Sequence, residues 1–144
     1  MCTQKLCSKL GSVMTCIVSP SRVLLVKDES KHDPLWKLPG GSVESDDADI
    51  IAAAIRETKE ETGIQLLPGE LRLLLKARSE SGVYYPNFFV AHVSEDKLDT
   101  RAKVAYESGD PSQPMKVGVF NREEVPMMPD LLERHRRALQ QAVA

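Results

Sequence analysis

Aliphatic and β-branched residues occur in short runs along this chain, separated by polar turns. The runs "SVMTCIV" (Ser12 to Val18) and "RVLLVK" (Arg22 to Lys27) flank the turn signal "SPS" and therefore predict two strands. Further strands are predicted at "LRLLLKAR", "VYYPNFFVAHV" and "MKVGVF". The segment "LWKLPGGSVE" is expected to be short extended structure broken at Pro39-Gly40-Gly41, because glycine permits backbone conformations that other residues avoid.

Two segments instead carry apolar residues at helical spacing. Asp46 to Thr62 predicts a helix, with Asp46 or Asp47 as its N-cap and Gly63 just past its end. Pro129 with Asp130 is expected to begin a last helix, whose apolar face comprises Leu131, His135, Ala138, Leu139 and Ala142. Strands that flank two helices predict a layered α/β domain.

Length and composition are those of an ordinary globular protein. The 144 residues suggest one domain spanning 1–144, and a net charge of −2 gives no reason to expect nucleic-acid binding. No apolar run approaches the roughly 20 residues of a membrane span, and the N-terminal segment lacks the apolar region of a secretory signal. An odd number of cysteines (Cys2, Cys7, Cys16) argues against a disulfide framework and indicates a reducing, cytoplasmic location.

The predicted first helix ends in three glutamates, in the segment "RETKEETG". Glu57, Glu60 and Glu61 lie where the helix dipole disfavours negative charge, and Glu57 and Glu61 are like-charged i,i+4 neighbours. Arg56 can pair with Glu60, but helical geometry places it on the far side from Glu57 and Glu61. A solvated charged face is one interpretation. The other is a site for Mg²⁺ or Mn²⁺, hard cations that take oxygen ligands and offset such repulsion.

The glycine pair Gly40-Gly41 shifts this balance towards the metal site. It precedes the helix by a short loop, and glycine lets a backbone carbonyl approach a metal or a phosphate closely. The combination is more specific than either feature alone.

Together these residues resemble the Nudix box. The stretch "GGSVESDDADIIAAAIRETKEETGI" is similar to its pattern G-x5-E-x7-R-E-U-x-E-E-x-G-U, where U is aliphatic. Three departures are present. Asp47 replaces the first glutamate, eight residues rather than seven separate it from Arg56, and Thr58 replaces an aliphatic residue.

The resemblance implies an α/β/α sandwich around a mixed β-sheet. It also implies hydrolysis of a nucleoside diphosphate-linked substrate with Mg²⁺, or with Mn²⁺ as a substitute. By correspondence with the box, Glu57, Glu60, Glu61 and the carbonyl of Gly40 would be metal ligands, and Arg56 would orient a metal-binding glutamate.

Other candidate site residues lie outside the box. A downstream loop acid often completes sites of this family, and Glu107 is the candidate here, with Asp110 and Glu80 as alternatives. Trp36 is expected to pack in the core, with contact to a nucleobase as the alternative.

Tyr84 and Tyr85 are adjacent, so in a strand they face opposite ways, and one of them could stack on a base. Packing in the core or at its rim is the alternative for both. Pro86 beside them suggests a sheet edge or an irregular strand end.

The sequence therefore indicates a small hydrolase of a nucleoside triphosphate or a dinucleoside polyphosphate. Its expected partner is this small molecule, with neither membrane nor nucleic acid, and it is a monomer or a homodimer. A non-catalytic domain that senses a nucleotide or sugar phosphate is the first alternative, and the complete set of three glutamates argues against it. An acidic interaction helix is a third interpretation, which the glycine pair disfavours.

Overall fold

The aliphatic and β-branched runs form one seven-stranded sheet. The computed structural model describes residues 11–76, 86–103 and 115–144. The strands are β1 (Ser12–Val18), β2 (Arg22–Asp28), β3 (Trp36–Lys37), β4 (Gly40–Ser42), β5 (Leu71–Lys76), β6 (Pro86–His92) and β7 (Met115–Asn121). The predicted strands at 12–18, 22–27, 71–78, 83–93 and 115–120 are thus all confirmed where the structure describes them.

Strand β1 lies at the centre of the sheet. The order is β3-β2-β1-β6-β5, with β4 also paired to β1 and β7 paired to β2. Only the β1–β6 pairing is parallel among the described strands, so the sheet is mixed. Pro86 is the first residue of β6, which lies between β1 and β5. Of the two expectations for Pro86, a sheet edge is therefore wrong, whereas its position at a strand end is confirmed. A first strand position tolerates proline because its missing N–H interrupts no ladder.

Helices cover both faces of the sheet. They are α1 (Ile50–Thr62), α2 (Glu95–Lys103) and α3 (Glu133–Val143), with short 3₁₀ turns at Pro68–Glu70 and Val125–Met127. Alternation along β1 divides the core, since Val13 and Ile17 pack with residues of α1 and α2 while Met14, Cys16 and Val18 pack with residues of α3. The α/β/α sandwich around a mixed sheet is confirmed.

Helix α1 begins later than its apolar pattern predicts. Asp49 is the N-cap, and its carboxylate accepts from the backbone N–H of Ala52 at 2.7 Å. The assignment of Asp46 or Asp47 as cap is wrong because Asp47 is bonded to Arg56 instead. At the other end Gly63 adopts a left-handed conformation with φ of 78°, as expected for the residue after a helix.

The last helix also begins later, at Glu133 rather than at Pro129 and Asp130. The preceding segment runs beside β3, where Leu131 forms a parallel bridge with Trp36. Its predicted buried face is confirmed at Leu131, His135, Ala138, Leu139 and Ala142.

Helix α2 was not predicted from the sequence. Among its residues with described side chains, Leu98 alone is a buried apolar residue, so no helical period is visible. The one sequence signal for this helix is Ser94 before its first turn, where the hydroxyl accepts from the N–H of Lys97 as an N-cap does. None of the helices in the described ranges is long and apolar enough to cross a membrane.

Candidate active site at the glycine pair and helix α1

The glycine pair lies in strand β4 rather than in a turn. Gly40 pairs with Met14 and Gly41 with Val13, and neither glycine has a positive φ. The expectation that these glycines break the extended structure is therefore wrong. They are required by close approach, because a Cβ at Gly40 would overlap the carbonyl oxygen of Val13.

A Cβ at Gly41 would instead meet the side chain of Glu57. It would lie 2.5 Å from Oε2 of that carboxylate, nearer than real Cβ contacts come. The absence of a side chain at Gly41 thus lets a carboxylate of α1 rest directly on β4. Glycine supplies space here rather than conformational freedom.

Arg56 connects this helix to the loop before it. Its Nε and Nη2 donate to the two carboxylate oxygens of Asp47, each at 2.9 Å, and Nη2 also donates to the carbonyl of Ser42 at 3.0 Å. The Asp47 side chain is 7% exposed, and the hydrogen bond from Arg56 lowers its pKa. A shorter acid on a loop lengthened by one residue therefore still reaches the arginine.

The same guanidinium holds two of the three box glutamates. Its Nη1 donates to Glu57 at 2.9 Å and to Glu60 at 2.7 Å. The prediction that Arg56 lies away from Glu57 is wrong, because helical spacing locates the Cβ whereas this long side chain bends back along the surface. Glu57 is largely buried and burial raises its pKa, whereas the Glu60 side chain is 53% exposed.

Glu61 lies against the other glycine of the pair. Its carboxylate accepts from the backbone N–H of Gly40 at 2.8 Å. Burial raises the pKa of Glu61 to about 7, and the Gly40 hydrogen bond and the charge of Lys37 only partly oppose that effect. Glu61 forms no ion pair within the described residues, so it is the box carboxylate with the least compensation.

These residues fit a hard divalent cation in donor type. Glu57 and Glu61 offer carboxylate oxygens beside β4, and Glu61 forms no ion pair with a described residue. Within residues 11–76, 86–103 and 115–144, no three acidic, histidine or cysteine groups converge as a ready cation cage. Mg²⁺ does not demand one, because it is commonly held by one or two carboxylates together with waters and substrate phosphates.

The remaining candidates divide by position. Trp36 is 7% exposed and packs edge-on against Phe120, with the Lys27 ammonium 4.6 Å from its ring centre, which favours the packing interpretation. Tyr84, Tyr85, Glu80, Glu107 and Asp110 lie outside the described residues. Their assigned roles therefore stay predictions.

His135 is the core histidine that its helix face predicts. Its Nδ1 accepts from the backbone N–H of Leu38 at 3.0 Å, and its ring packs edge-on against Phe88. Burial, with the charges of Arg134 and Lys37, lowers its pKa to about 3. His135 is therefore neutral and joins α3 to the segment that leads into the glycine pair.

Two basic residues beside the site were missed from the sequence. Lys37 and Arg134 line a cavity of about 200 Å³ whose wall includes Gly40 and Gly41. A signal for Lys37 exists in "WKL", where it alternates with two core residues and must point away from the core. Arg134 offers no such signal, because its neighbourhood depends on how α3 docks.

Comparisons with known proteins agree with this geometry. The NUDIX domain family matches residues 9–142. A curated mouse protein (Mus musculus), nucleoside diphosphate-linked moiety X motif 6, is 43% identical over 63 residues, which are 44% of this chain and 19% of that protein. The match thus spans about a fifth of the length of that relative.

Solved structures share the fold. The MutT NUDIX hydrolase from Burkholderia pseudomallei is 26% identical with a TM-score of 0.64, over 90% of this chain and 95% of that chain. The NUDIX domain of Shewanella oneidensis NrtR, complexed with ADP ribose, is 22% identical with a TM-score of 0.68, over 93% and 86%. The resemblance seen in the box is confirmed, because the NUDIX domain match spans residues 9–142 and the solved structures share the fold.

Proposed function

Because the chain belongs to the NUDIX domain family, we propose that it hydrolyses a phosphoanhydride bond in a nucleoside diphosphate-linked substrate with the help of Mg²⁺ or Mn²⁺. The substrate we propose is a nucleoside triphosphate or a dinucleoside polyphosphate. One observation carries the proposal: the carboxylates of Glu57 and Glu61 rest on a strand of two glycines, and Glu61 has no ion-pair partner among the described residues.

Each residue of the site has a role that follows from its position. Glu57, Glu60, Glu61 and the carbonyl of Gly40 would hold the cation, and Arg56 orients Glu57 and Glu60 through its Nη1. A bound divalent cation neutralises phosphate charge and lowers the pKa of a coordinated water.

The carboxylates have a second task beside the metal. Proton removal from the attacking water requires a base within hydrogen-bond reach, and a box carboxylate or Glu107 is suited to it. Tyr84 and Tyr85 are the proposed contacts to the nucleobase, since Trp36 is buried against Phe120. We further propose a single domain over residues 1–144, and a cytoplasmic location on the odd number of cysteines.

A substrate panel tests this function. Nucleoside triphosphates, ADP-ribose and dinucleoside polyphosphates would be incubated with Mg²⁺ and with Mn²⁺, and release of phosphate, pyrophosphate or nucleotide would be followed. Glu61→Gln should reduce turnover at least about a hundredfold, since general base or metal contributions are of that order. Glu29→Gln, the same change at an exposed position, is the control. Unchanged turnover in Glu61→Gln would overturn the metal assignment.

A sensing domain without turnover is the second candidate. It is favoured by the shared fold with NrtR, whose NUDIX domain was crystallised with ADP ribose and whose longer chain was crystallised with DNA. In that case the panel would give binding, for example by calorimetry, but no hydrolysis with either metal. The complete set of box glutamates argues for the enzyme.

A further inference from the structure

A second cavity shares two lining residues with the one beside the glycine pair. The inner cavity, about 200 Å³, is lined in part by Gly40, Gly41, Lys37 and Arg134. The outer cavity, about 260 Å³, shares Lys37 and Arg134 and extends to the loop 31–35. The two basic residues therefore line both cavities, and this shared wall is their junction.

Three hydrogen bonds fix this junction. The N–H of Trp36 donates to the carbonyl of Asp130 and the N–H of Leu132 donates to the carbonyl of Trp36, both at 2.8 Å. The N–H of Leu38 donates to Nδ1 of His135 at 3.0 Å. Lys37 lies between Trp36 and Leu38 in the sequence, and Arg134 lies between Leu132 and His135. The fold thus holds two cations from distant parts of the sequence at one opening.

The charged residues that line the inner cavity are all basic. No carboxylate lines the inner cavity, whereas Lys37 and Arg134 both do. Neither side chain forms an ion pair or a hydrogen bond with any described residue. Two like charges facing one small cavity repel each other, so an anion between them would be stabilised by both.

The two acids of the outer cavity contact residues close to them in the sequence. Asp28 accepts from the N–H and the hydroxyl of Ser30, at 3.0 and 2.6 Å. The carboxylate of Asp33 lies 3.3 Å from Nε2 of His32, and both side chains are exposed. Neither acid is bonded to Lys37 or to Arg134, although the charge of Lys37 contributes to lowering the pKa of Asp28. The hydrogen-bond donors of both basic side chains are therefore not taken up by these acids.

We propose that Lys37 and Arg134 form an anion subsite that selects substrates with a phosphate beyond the diphosphate held at the carboxylates. This proposal rests on the hydrolase function proposed above and names the substrate feature that the protein recognises. A polyphosphate chain bound at β4 would run past the glycine pair into the inner cavity. The terminal or third phosphate would then lie between the ammonium and the guanidinium, while Pro34, Leu35 and Leu132 offer apolar surface beyond it.

Binding of inorganic tripolyphosphate tests the subsite without turnover. Calorimetry in EDTA should show binding to the parent protein, weakened about tenfold by Lys37→Gln and by Arg134→Gln, since each change removes one charged hydrogen-bond donor. Lys116→Gln and Arg137→Gln are matched controls, because both residues are exposed and line neither cavity. The controls should change the dissociation constant less than about twofold. Absence of tripolyphosphate binding to the parent, or equal affinity in all five proteins, would overturn the proposal.

Kinetics test the selectivity. Lys37→Gln and Arg134→Gln should raise KM for ATP about tenfold with little change in kcat, the pattern of lost uniform binding. KM for ADP-ribose, which has no third phosphate, should change less than about twofold. Equal increases for both substrates would contradict selection of an extra phosphate. A protein that turns over no substrate would refute the hydrolase function, while the tripolyphosphate titration would still decide the subsite.

Discussion

At the scale of single residues, the two neighbouring glycines have different reasons to lack a side chain. A Cβ at Gly40 would overlap the backbone of β1, which cannot move without disturbing the centre of the sheet. A Cβ at Gly41 would meet the end of the Glu57 side chain, which can rotate away. The fold therefore requires a glycine at position 40, whereas the position of the Glu57 carboxylate requires one at position 41.

Alanine substitutions should separate these two reasons. Gly41→Ala should fold with a free energy of unfolding within about 1 kcal/mol of the parent, but lose at least about tenfold in kcat/KM because Glu57 is displaced. Gly40→Ala should unfold at markedly lower denaturant concentration. Gly69→Ala, where a Cβ meets nothing within 4 Å, should change neither. Full activity in Gly41→Ala would contradict the role given to Glu57.

Asp47 provides a second prediction at this scale. Arg56 donates to both carboxylate oxygens of Asp47. Asp47→Asn keeps the size of the side chain but removes its charge and one of these acceptors, so we expect a loss of about 1–3 kcal/mol in the free energy of unfolding. Asp46→Asn, at an exposed position with no bonded partner among the described residues, should have no effect. Denaturant titration measures both. Equal stability of the two variants would show that the acid in the lengthened loop is dispensable.

At the scale of the element, helix α1 is built with its charges against its dipole. Its cap is Asp49, its first turn contains no acid, and its glutamates lie in the last two turns. A helix designed for stability alone would place them the other way round. The apolar face, the Asp49 cap and Gly63 therefore stabilise the helix, whereas the glutamates of its last two turns serve the candidate site.

Substitutions at Asp46 and Asp49 test which residue caps helix α1. Asp49→Ala removes the acceptor for the N–H of Ala52 and should lower the free energy of unfolding by about 1 kcal/mol. Asp46→Ala should leave it unchanged, since the helix does not extend to that residue. Thermal and denaturant unfolding would both report the difference. A larger loss of unfolding free energy in Asp46→Ala than in Asp49→Ala would indicate that the helix begins after Asp46 instead.

At the scale of the whole molecule, the sequence predicts the layers better than their junctions. The strands and the buried face of α3 follow from local periodicity, and the carboxylates follow from the box. The helix starts do not, because Asp46, Asp47 and Asp49 are equivalent caps until Arg56 engages one of them. The position of Arg134 beside the site follows only from the packing of α3 on the sheet and from the pairing of the preceding segment with β3. The helix starts and the position of Arg134 depend on contacts between distant segments, which no local sequence pattern contains.

His135 joins α3 to the segment before the glycine pair, so its protonation affects the packing of the whole molecule. It is neutral in the fold, with a pKa of about 3 against about 6.5 in an unfolded chain. Between these pH values the unfolded chain binds one more proton at this site than the folded chain does. Stability therefore falls as pH falls below about 6.5, by about 1.4 kcal/mol per pH unit from this group alone.

Replacement of His135 by asparagine should remove that dependence while keeping an acceptor near the position of Nδ1. Between pH 7 and pH 5 the free energy of unfolding of the parent should fall by about 2 kcal/mol more than that of His135→Asn. His92→Asn is the matched control, since His92 is exposed, and its pH dependence should follow the parent. Denaturant titrations at the two pH values measure the difference. Parallel pH profiles for parent and His135→Asn would mean that the buried ring accepts a proton without loosening α3 from the sheet.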